Sequence, residues 1–275
     1  MTPQSERADR FRRLHHDDPQ RPGPLLLANA WDAGSARLIE SLGAPAVATT
    51  SAGVAWAHGF ADGDHLPVPR LVATVADIVR AVRVPLSVDV EGGYSDDPDT
   101  VADHVAGLVE VGAVGINIED GDGAPELLCA KIERIRQATA TLGVALFVNA
   151  RTDVYLRGLV PEAQRVDETL ARAARYREAG ADGLFVPGLT DETQVRAIAA
   201  GAGLPLNLLA RAALPPAPQL REWGVRRLSA GSDLAQSAHA RVRALAADFL
   251  RDGDSRPLSA QALPYSELNA LFSPR

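Results

Sequence analysis

Two acidic residues end an apolar run near residue 90, and a glycine pair follows them directly. The segment reads SVDVEGGY over residues 87–94, and its acids are Asp89 and Glu91. Because side chains alternate between the two faces of a strand, these two point to the same side. Neighbouring carboxylates repel each other, and a bound divalent cation would keep both ionised. The pair therefore indicates a metal site, unless both acids are solvated loop residues or helix caps.

Further chemically active residues stand at or near the ends of other apolar runs. They are Trp31, Thr50, Ser51, Glu119, Arg151 and Asn207. Oxygen ligands without a nearby cysteine or histidine favour Mg²⁺ or Mn²⁺ over zinc. A guanidinium is suited to pairing with a carboxylate through two parallel hydrogen bonds. These residue types predict a site for a small organic anion, provided that the fold brings the ends of the runs together.

Eight short strand-like runs alternate with longer segments of helical periodicity. The runs are 25–31, 46–51, 85–90, 113–120, 145–152, 183–189, 205–210 and 225–232. Several helical segments end in glycine, as in ESLGA and REAGA, which is typical of a left-handed helix cap. Eight strand–helix units predict an α/β fold of the (β/α)8 barrel type, with a doubly wound open sheet as the alternative. In such a barrel the active site lies at the C-terminal ends of the strands, where the polar residues stand.

Composition limits the possible classes of function. The 275 residues are 46% hydrophobic and 23% charged, with a formal net charge of −7. We therefore expect one domain that associates with neither nucleic acid nor membrane. It comprises a helical lead-in at 1–24, the barrel at 25–250, and a tail with a final helix at 251–275. One cysteine, Cys129, and a charged N-terminal segment without a signal-like apolar stretch predict a cytoplasmic protein.

Four motifs follow one another in the order and at the spacing of barrel strands. They read NAWDAGSARLIESLGAPAVATTSAGVA, SVDVEGGY, GAVGINIEDG and VNARTDVYL. Through them the chain resembles the isocitrate lyase and phosphoenolpyruvate mutase superfamily from about residue 25 to 232. The resemblance implies a (β/α)8 barrel, Mg²⁺ as cofactor with Mn²⁺ as an alternative, and a homodimer or homotetramer. It also implies that the last helix, which contains SELNALF, is exchanged between subunits.

The resemblance also assigns roles to individual residues. It implies metal binding by Asp89 and Glu91, and by Glu119 either directly or through metal-bound water. Arg151 would pair with a substrate carboxylate or oxyanion, and Asp62 matches an aspartate on a gating loop. The predicted catalytic residues are thus Arg151, Glu119 and Asp62. The predicted substrate-binding residues are Trp31, Thr50, Ser51, Ala52, Arg151 and Asn207, where Trp31 is either a pocket wall or plain packing.

The chain also departs from the family pattern. The lyases carry a Lys-Lys/Arg-Cys-Gly-His loop shortly after the fourth-strand glutamate, whereas this chain reads EDGDGAPELLCAKIERIR. Cys129 falls in a predicted helix there and is interpreted as a buried small residue. Gly188 replaces a glutamate often found near the end of the sixth strand. These departures argue against cleavage of isocitrate or methylisocitrate.

Three functions remain open at this point. The leading one is a Mg²⁺-dependent lyase that cleaves or forms a carbon–carbon bond of a small 2-oxo or 2-hydroxy carboxylic acid through a metal-stabilised enolate. The first alternative is a mutase or hydrolase that acts on the P–C bond of a phosphonate. The second alternative is a protein that binds a 2-oxo acid without catalysis, which the missing cysteine loop suggests.

Overall fold

A computed structural model describes residues 2–16 and 23–273. Within them nine parallel strands form one sheet in the order β1-β9-β8-β7-β6-β5-β4-β3-β2. The strands are β1 (Leu25–Leu27), β2 (Asn29–Ala30), β3 (Val47–Thr49), β4 (Leu86–Asp89), β5 (Gly115–Glu119), β6 (Phe147–Arg151), β7 (Gly183–Val186), β8 (Leu206–Leu209) and β9 (Val225–Ser229). Each of the eight predicted runs contains an observed strand.

The sheet closes through its first strand, which is divided at Ala28. β1 pairs with the last strand, with Leu25 opposite Arg227. β2 pairs with the next strand along the chain, with Asn29 opposite Ala48. The two halves therefore act as one strand of an eight-stranded barrel. The predicted (β/α)8 fold is confirmed.

Helices follow the strands and cover the barrel. In chain order they are α1 (Pro3–Arg13), α2 (Ala33–Ser41), α3 (Ser51–Ala57), α4 (Val68–Ala81), α5 (Pro98–Glu110), α6 (Pro125–Ala140), α7 (Arg165–Ala179), α8 (Glu192–Gly201), α9 (Ala217–Glu222), α10 (Asp233–Asp252), α11 (Arg256–Ser259) and α12 (Tyr265–Leu271). A π-helical turn spans Val154–Gly158, and a 3₁₀ turn spans Glu162–Gln164.

The helices form where capping and apolar spacing agree. In α5, Asp97 caps the first turn by accepting a hydrogen bond from the Thr100 amide. Val101, Val105 and Leu108 then recur at helical spacing and are buried against the barrel. In such helices one apolar face packs against the strands, and these helices form the outer layer of the barrel.

Helix α1 covers the N-terminal end of the barrel. Its Phe11 is fully buried and packs edge-on against Phe147, with ring centroids 5.5 Å apart. A Cβ atom on Gly115 would come within 2.7 Å of the Phe11 ring, so glycine is needed where the helix approaches β5. Because α1 fills this end, loops at the C-terminal ends of the strands are left to form the site.

The C-terminal part of the chain is the most exposed. α10 is a 20-residue helix whose one buried residue is Ala235, and Phe249 and Leu250 on it are exposed. α12 lies against α2 of the same chain, where the Arg37 Nε donates to the Leu271 carbonyl at 3.0 Å. Exchange of the final helix between subunits stays a prediction. Across 2–16 and 23–273, none of the helices combines the length and apolarity that crossing a bilayer demands.

Candidate active site

Three predicted site residues meet where β4, β5 and β6 end. Asp89 and Glu119 are the last residues of β4 and β5, and Arg151 is the last residue of β6. Glu119 and Arg151 are directly opposite each other in the parallel pairing, and the Arg151 Nη1 lies 2.5 Å from the Glu119 Oε2. Glu91 follows two residues after Asp89. We call Asp89, Glu91 and Glu119 the mouth cluster.

The Arg151 guanidinium is held in a fixed orientation. Its Nε and Nη2 donate to the two carboxylate oxygens of Asp153 at 2.7 and 3.0 Å. Asp153 is fully buried and also accepts a hydrogen bond from the Arg157 Nε at 3.0 Å. This two-point contact orients the guanidinium and leaves its third nitrogen facing Glu119.

A second group of charges lies directly behind the first. The Asp120 Oδ2 accepts from the Arg172 Nη1 at 2.7 Å and from the Tyr176 hydroxyl at 2.6 Å. Its Oδ1 accepts from the Asp153 amide at 2.9 Å. We call Asp120, Asp153, Arg172 and Tyr176 the ion-paired cluster. Arg172 and Tyr176 were not among the predicted site residues, although their four-residue spacing on one face of a helix was a usable signal.

Burial dominates the protonation of the mouth cluster. Burial raises the pKa of Asp89, against the lowering effect of Arg151. Burial also raises the pKa of Glu91 to about 7, although the Asp64 amide opposes the shift. For Glu119, burial outweighs the neighbouring Arg151 charge and raises the pKa to about 8. A raised pKa means that each acid favours a bound cation, whether a proton or a metal ion.

The loop that carries Asp62 closes over the mouth cluster. The Glu91 Oε2 accepts hydrogen bonds from the amides of Gly63 and Asp64, at 2.8 Å for Gly63. Its Oε1 accepts from the Tyr94 hydroxyl at 3.1 Å. Asp62 itself is exposed, but its charge raises the pKa values of Asp89 and Glu91. The structure therefore places Asp62 beside the site, and its role on a gating loop stays a prediction.

The predicted anion-binding segment begins α3. Thr50, Ser51 and Ala52 are all buried at this point. The Ser51 amide donates to the Asp89 Oδ2 at 3.3 Å, so the segment faces the mouth cluster. The first amides of a helix have no partner within the helix and can bind an anionic oxygen.

Two predicted substrate contacts are located elsewhere. Asn207 is 1% exposed, and its amide group bonds to Asn149, Ser229 and nearby backbone carbonyls inside the barrel. This location does not match the predicted contact with substrate, because β8 points Asn207 into a polar layer below the mouth. Trp31 is half-buried, packs against the Gly53 position and borders a separate groove with His58 and Thr74.

The mouth cluster has the composition of a Mg²⁺ site. Its carboxylates supply oxygen ligands, and the Arg151 charge beside them is shared with Asp153. Within 2–16 and 23–273, no three His, Cys, Asp or Glu side chains converge closely enough to hold a metal ion by themselves. Mg²⁺ commonly binds through one or two carboxylates and keeps several waters, so water and substrate would complete the coordination. The residues fit a bound Mg²⁺ of that kind.

A cavity of about 400 Å³ opens beside Glu119. Its lining includes Tyr94, Lys131, Arg157 and the short connection 120–124 between β5 and α6. This connection stands where the superfamily lyases would carry their cysteine loop. Cys129 lies on α6 and is half-buried, not fully buried as predicted, although burial still raises the pKa of its thiol.

Comparison with known proteins assigns the family. The family model described as phosphoenolpyruvate phosphomutase matches residues 11–250. The chain belongs to this family. An uncharacterised protein of Mycobacterium tuberculosis is 38% identical over 264 residues, which cover 94% of this chain and 95% of that protein. An oxaloacetate decarboxylase of Rhodopseudomonas palustris is 30% identical over 260 residues, which cover 88% of this chain and 84% of that enzyme.

Solved structures agree with this assignment. A Burkholderia cenocepacia protein, described as a candidate lyase/mutase, is 35% identical with a TM-score of 0.87, and the match covers 99% of this chain and 97% of that protein. A 2,3-dimethylmalate lyase of the same superfamily is 26% identical with a TM-score of 0.81. Members and structural neighbours of the family are lyases and mutases, and this chain is an enzyme of that superfamily.

Proposed function

We propose that this enzyme is a Mg²⁺-dependent lyase that breaks a carbon–carbon bond of a small 2-oxo carboxylic acid. The contact between Arg151 and Glu119, beside Asp89 at the same end of the barrel, is the observation that carries the proposal. At this end of the barrel, the fixed positive charge of Arg151 can pair with a substrate carboxylate, and the buried acids beside it favour a metal ion. Mn²⁺ is expected to replace Mg²⁺, because both prefer oxygen ligands.

Substrate binding is assigned to two opposite sides of the mouth. Arg151 would face the substrate carboxylate or the oxygen that gains negative charge. On the opposite side, the amides of Ser51 and Ala52, which begin α3, would donate to a carboxylate oxygen of the substrate. Because Asp153 already orients Arg151, the guanidinium does not have to reorganise when the charge develops, which is the condition for effective electrostatic catalysis.

The bound metal would stabilise negative charge on the substrate oxygen next to the broken bond. Asp89 and Glu119 would hold that ion from the ends of β4 and β5, with water completing its shell. Arg151 would neutralise the remaining charge of the substrate. Closure of the loop that carries Asp62 would exclude water from the reacting carbons.

Oxaloacetate is the first substrate to test, since the decarboxylase relative matches most of this chain. In that reaction the C3–C4 bond of oxaloacetate breaks and C4 leaves as carbon dioxide. The remaining pyruvate enolate then takes a proton at C3. This chemistry needs no group to release a second organic acid, so it suits a chain that lacks the cysteine loop.

The test is an assay of the purified enzyme with oxaloacetate, 2-methylisocitrate, dimethylmalate and phosphonopyruvate during a Mg²⁺ titration. We expect metal-dependent release of pyruvate from oxaloacetate, and a loss of at least 100-fold in the Asp89→Ala variant, as for removal of one transition-state stabilising group. Asp103→Asn, an exposed substitution on α5, is the control and should keep full activity. Turnover and Mg²⁺ affinity in Asp89→Ala equal to those of the parent enzyme would contradict the proposal.

The same assay separates the two alternatives. Faster turnover of phosphonopyruvate than of any carbon–carbon substrate would favour P–C bond chemistry, which the name of the family model keeps open. Binding of a 2-oxo acid in calorimetry without product after long incubation would favour the non-catalytic function.

A further inference from the structure

We propose that Glu91 anchors the gating loop and is not a ligand of the metal ion. The inference rests on the proposed metal site and divides its residues by role. Glu91 and Tyr94 would be positioning residues that bring Asp62 to the mouth, whereas Asp89 would face the metal. The sequence alone assigned Asp89 and Glu91 the same role, because they are two residues apart on one strand face.

Both oxygens of Glu91 are already engaged. One accepts two backbone amides, from Gly63 and Asp64, and the other accepts the Tyr94 hydroxyl. Asp89 differs, since the contacts of its carboxylate come from Ser51, whose amide donates at a long 3.3 Å and whose hydroxyl also bonds to it. A carboxylate that satisfies three donors has little capacity left for direct metal coordination, whereas that of Asp89 keeps it.

Backbone geometry supports the same contact between Glu91 and the loop. Within 2–16 and 23–273, the non-glycine residues with positive φ are Asp64 at 60°, Glu91 at 51° and Tyr94 at 62°. A side chain disfavours this left-handed region, and such residues persist where the surrounding contacts enforce them. All three belong to one hydrogen-bonded group, because the Asp64 Oδ1 also accepts from the Tyr94 amide at 3.1 Å. The contacts between the loop and the turn that follows β4 therefore hold these three residues in the left-handed conformation.

Two helices hold the turn in place from behind. The Lys131 Nζ donates to the Gly92 carbonyl at 2.8 Å, and the His104 Nδ1 lies 3.0 Å from the Gly93 carbonyl. Gly93 has a φ of 98°, and a Cβ there would meet Val101 at 2.6 Å. The turn is thus a rigid base for Glu91, while the loop at 61–65 is exposed and reaches Glu91 through backbone amides. Because the turn is rigid and the loop is exposed, the hydrogen bonds between Glu91 and the loop can break and form again.

The experiment measures metal binding and loop protection separately. Mn²⁺ affinity is measured by electron paramagnetic resonance, and amide exchange of a peptide covering 58–66 by mass spectrometry, both without substrate. We expect Glu91→Ala to raise exchange of that peptide at least tenfold while the Kd for Mn²⁺ changes less than threefold. Asp89→Ala should weaken Mn²⁺ binding at least tenfold and leave loop exchange within twofold.

Tyr94→Phe is the second variant, because it keeps the packing of the ring and removes one donor to Glu91. It should raise loop exchange several-fold with unchanged Mn²⁺ affinity. Loss of Mn²⁺ affinity in Glu91→Ala of threefold or more, or loop exchange that stays unchanged in both Glu91→Ala and Tyr94→Phe, would overturn the anchor. Unchanged Mn²⁺ affinity in Asp89→Ala would instead contradict the metal site of the proposed function, and loop exchange would still decide the role of Glu91.

Discussion

Glu119 and Asp120 are adjacent acids at the end of β5, yet they belong to two different environments. Asp120 accepts hydrogen bonds from Arg172, Tyr176 and a backbone amide, so its charge is fully compensated. Glu119 has the Arg151 contact, but Arg151 also binds Asp153, and burial still raises the pKa of Glu119. Consecutive residues on a strand face opposite ways, which is enough to separate the ion-paired cluster from the mouth cluster.

This difference distinguishes acids whose charge is compensated within the protein from acids that we propose to bind a ligand. The ion-paired cluster satisfies its charges within the protein and therefore holds β5, β6 and α7 together. In the mouth cluster, Asp89 and Glu119 leave part of their charge uncompensated, at a cost in stability that a metal ion and an anionic substrate would offset. Variants that exchange acid for amide in each cluster should therefore have opposite effects.

The largest effect is expected for Asp120→Asn in the ion-paired cluster. The substitution removes the buried partner and leaves Arg172 paired with the more exposed Glu168, and breaking a buried ion pair commonly costs about 3–5 kcal/mol. We expect the free energy of unfolding in denaturant to fall by that amount and the melting temperature to fall by roughly 10 °C. Asp122→Asn, an exposed neighbour on the same connection, is the control and should not change either value. Stability equal to the parent would break the comparison.

The second effect is on turnover, through Arg151→Lys. Lysine keeps the positive charge but cannot make the two-point contact with Asp153 or present an oriented donor to the substrate. We expect kcat/KM to fall by about 10²–10³, the range for loss of one oriented transition-state contact. The melting temperature should fall less than in Asp120→Asn. Activity within threefold of the parent would show that Arg151 is structural and belongs with the ion-paired cluster.

The sequence predicted the barrel because its signal is local and repeated. Strand runs, helical periodicity and glycine caps each occur within short windows, and Gly180 indeed ends α7 in the left-handed conformation. The position of the β4, β5 and β6 ends at one side of the barrel was predictable from topology, because the C-terminal ends of parallel strands meet there. Hence the proximity of Asp89, Glu119 and Arg151 could be anticipated without coordinates.

The contacts of individual side chains could not be anticipated in this way. Alternation predicted one role for Asp89 and Glu91, but Glu91 has positive φ and bonds to a loop about 28 residues earlier in the chain. Asn207 was assigned to the mouth, yet its depth along the strand places it in a buried layer with Arg227 and Asn149. Periodicity specifies which face a residue occupies, but depth and partner depend on barrel stagger and loop conformation.

A smaller effect is expected from pH on the metal-free enzyme. The pKa values of Glu91 and Glu119 rise to about 7 and 8, above the ordinary 4.5. Their stabilising contribution is full below pH 4.5 and is lost as pH rises through 7–8, so the free energy of unfolding should fall between pH 5 and 8.5. Thermal unfolding across this range measures it. Glu119→Gln should flatten the dependence, and Mg²⁺ should restore stability at pH 8.5. A profile that rises with pH would mean that the mouth acids are compensated like Asp120.

The smallest effect is expected at Asp32, a third kind of acid at the same end of the barrel. Its carboxylate accepts from the Ser35 amide at 2.6 Å and caps α2, so it is committed to a local backbone contact. Asp32→Ala should lower the free energy of unfolding by about 1 kcal/mol and leave kcat/KM within twofold. Asp32→Asn should retain most of that stability, since asparagine caps helices as well as aspartate does. A tenfold loss of activity in both variants, without a matching loss of stability, would move Asp32 and the neighbouring Trp31 into the mouth cluster and extend the active site to β2.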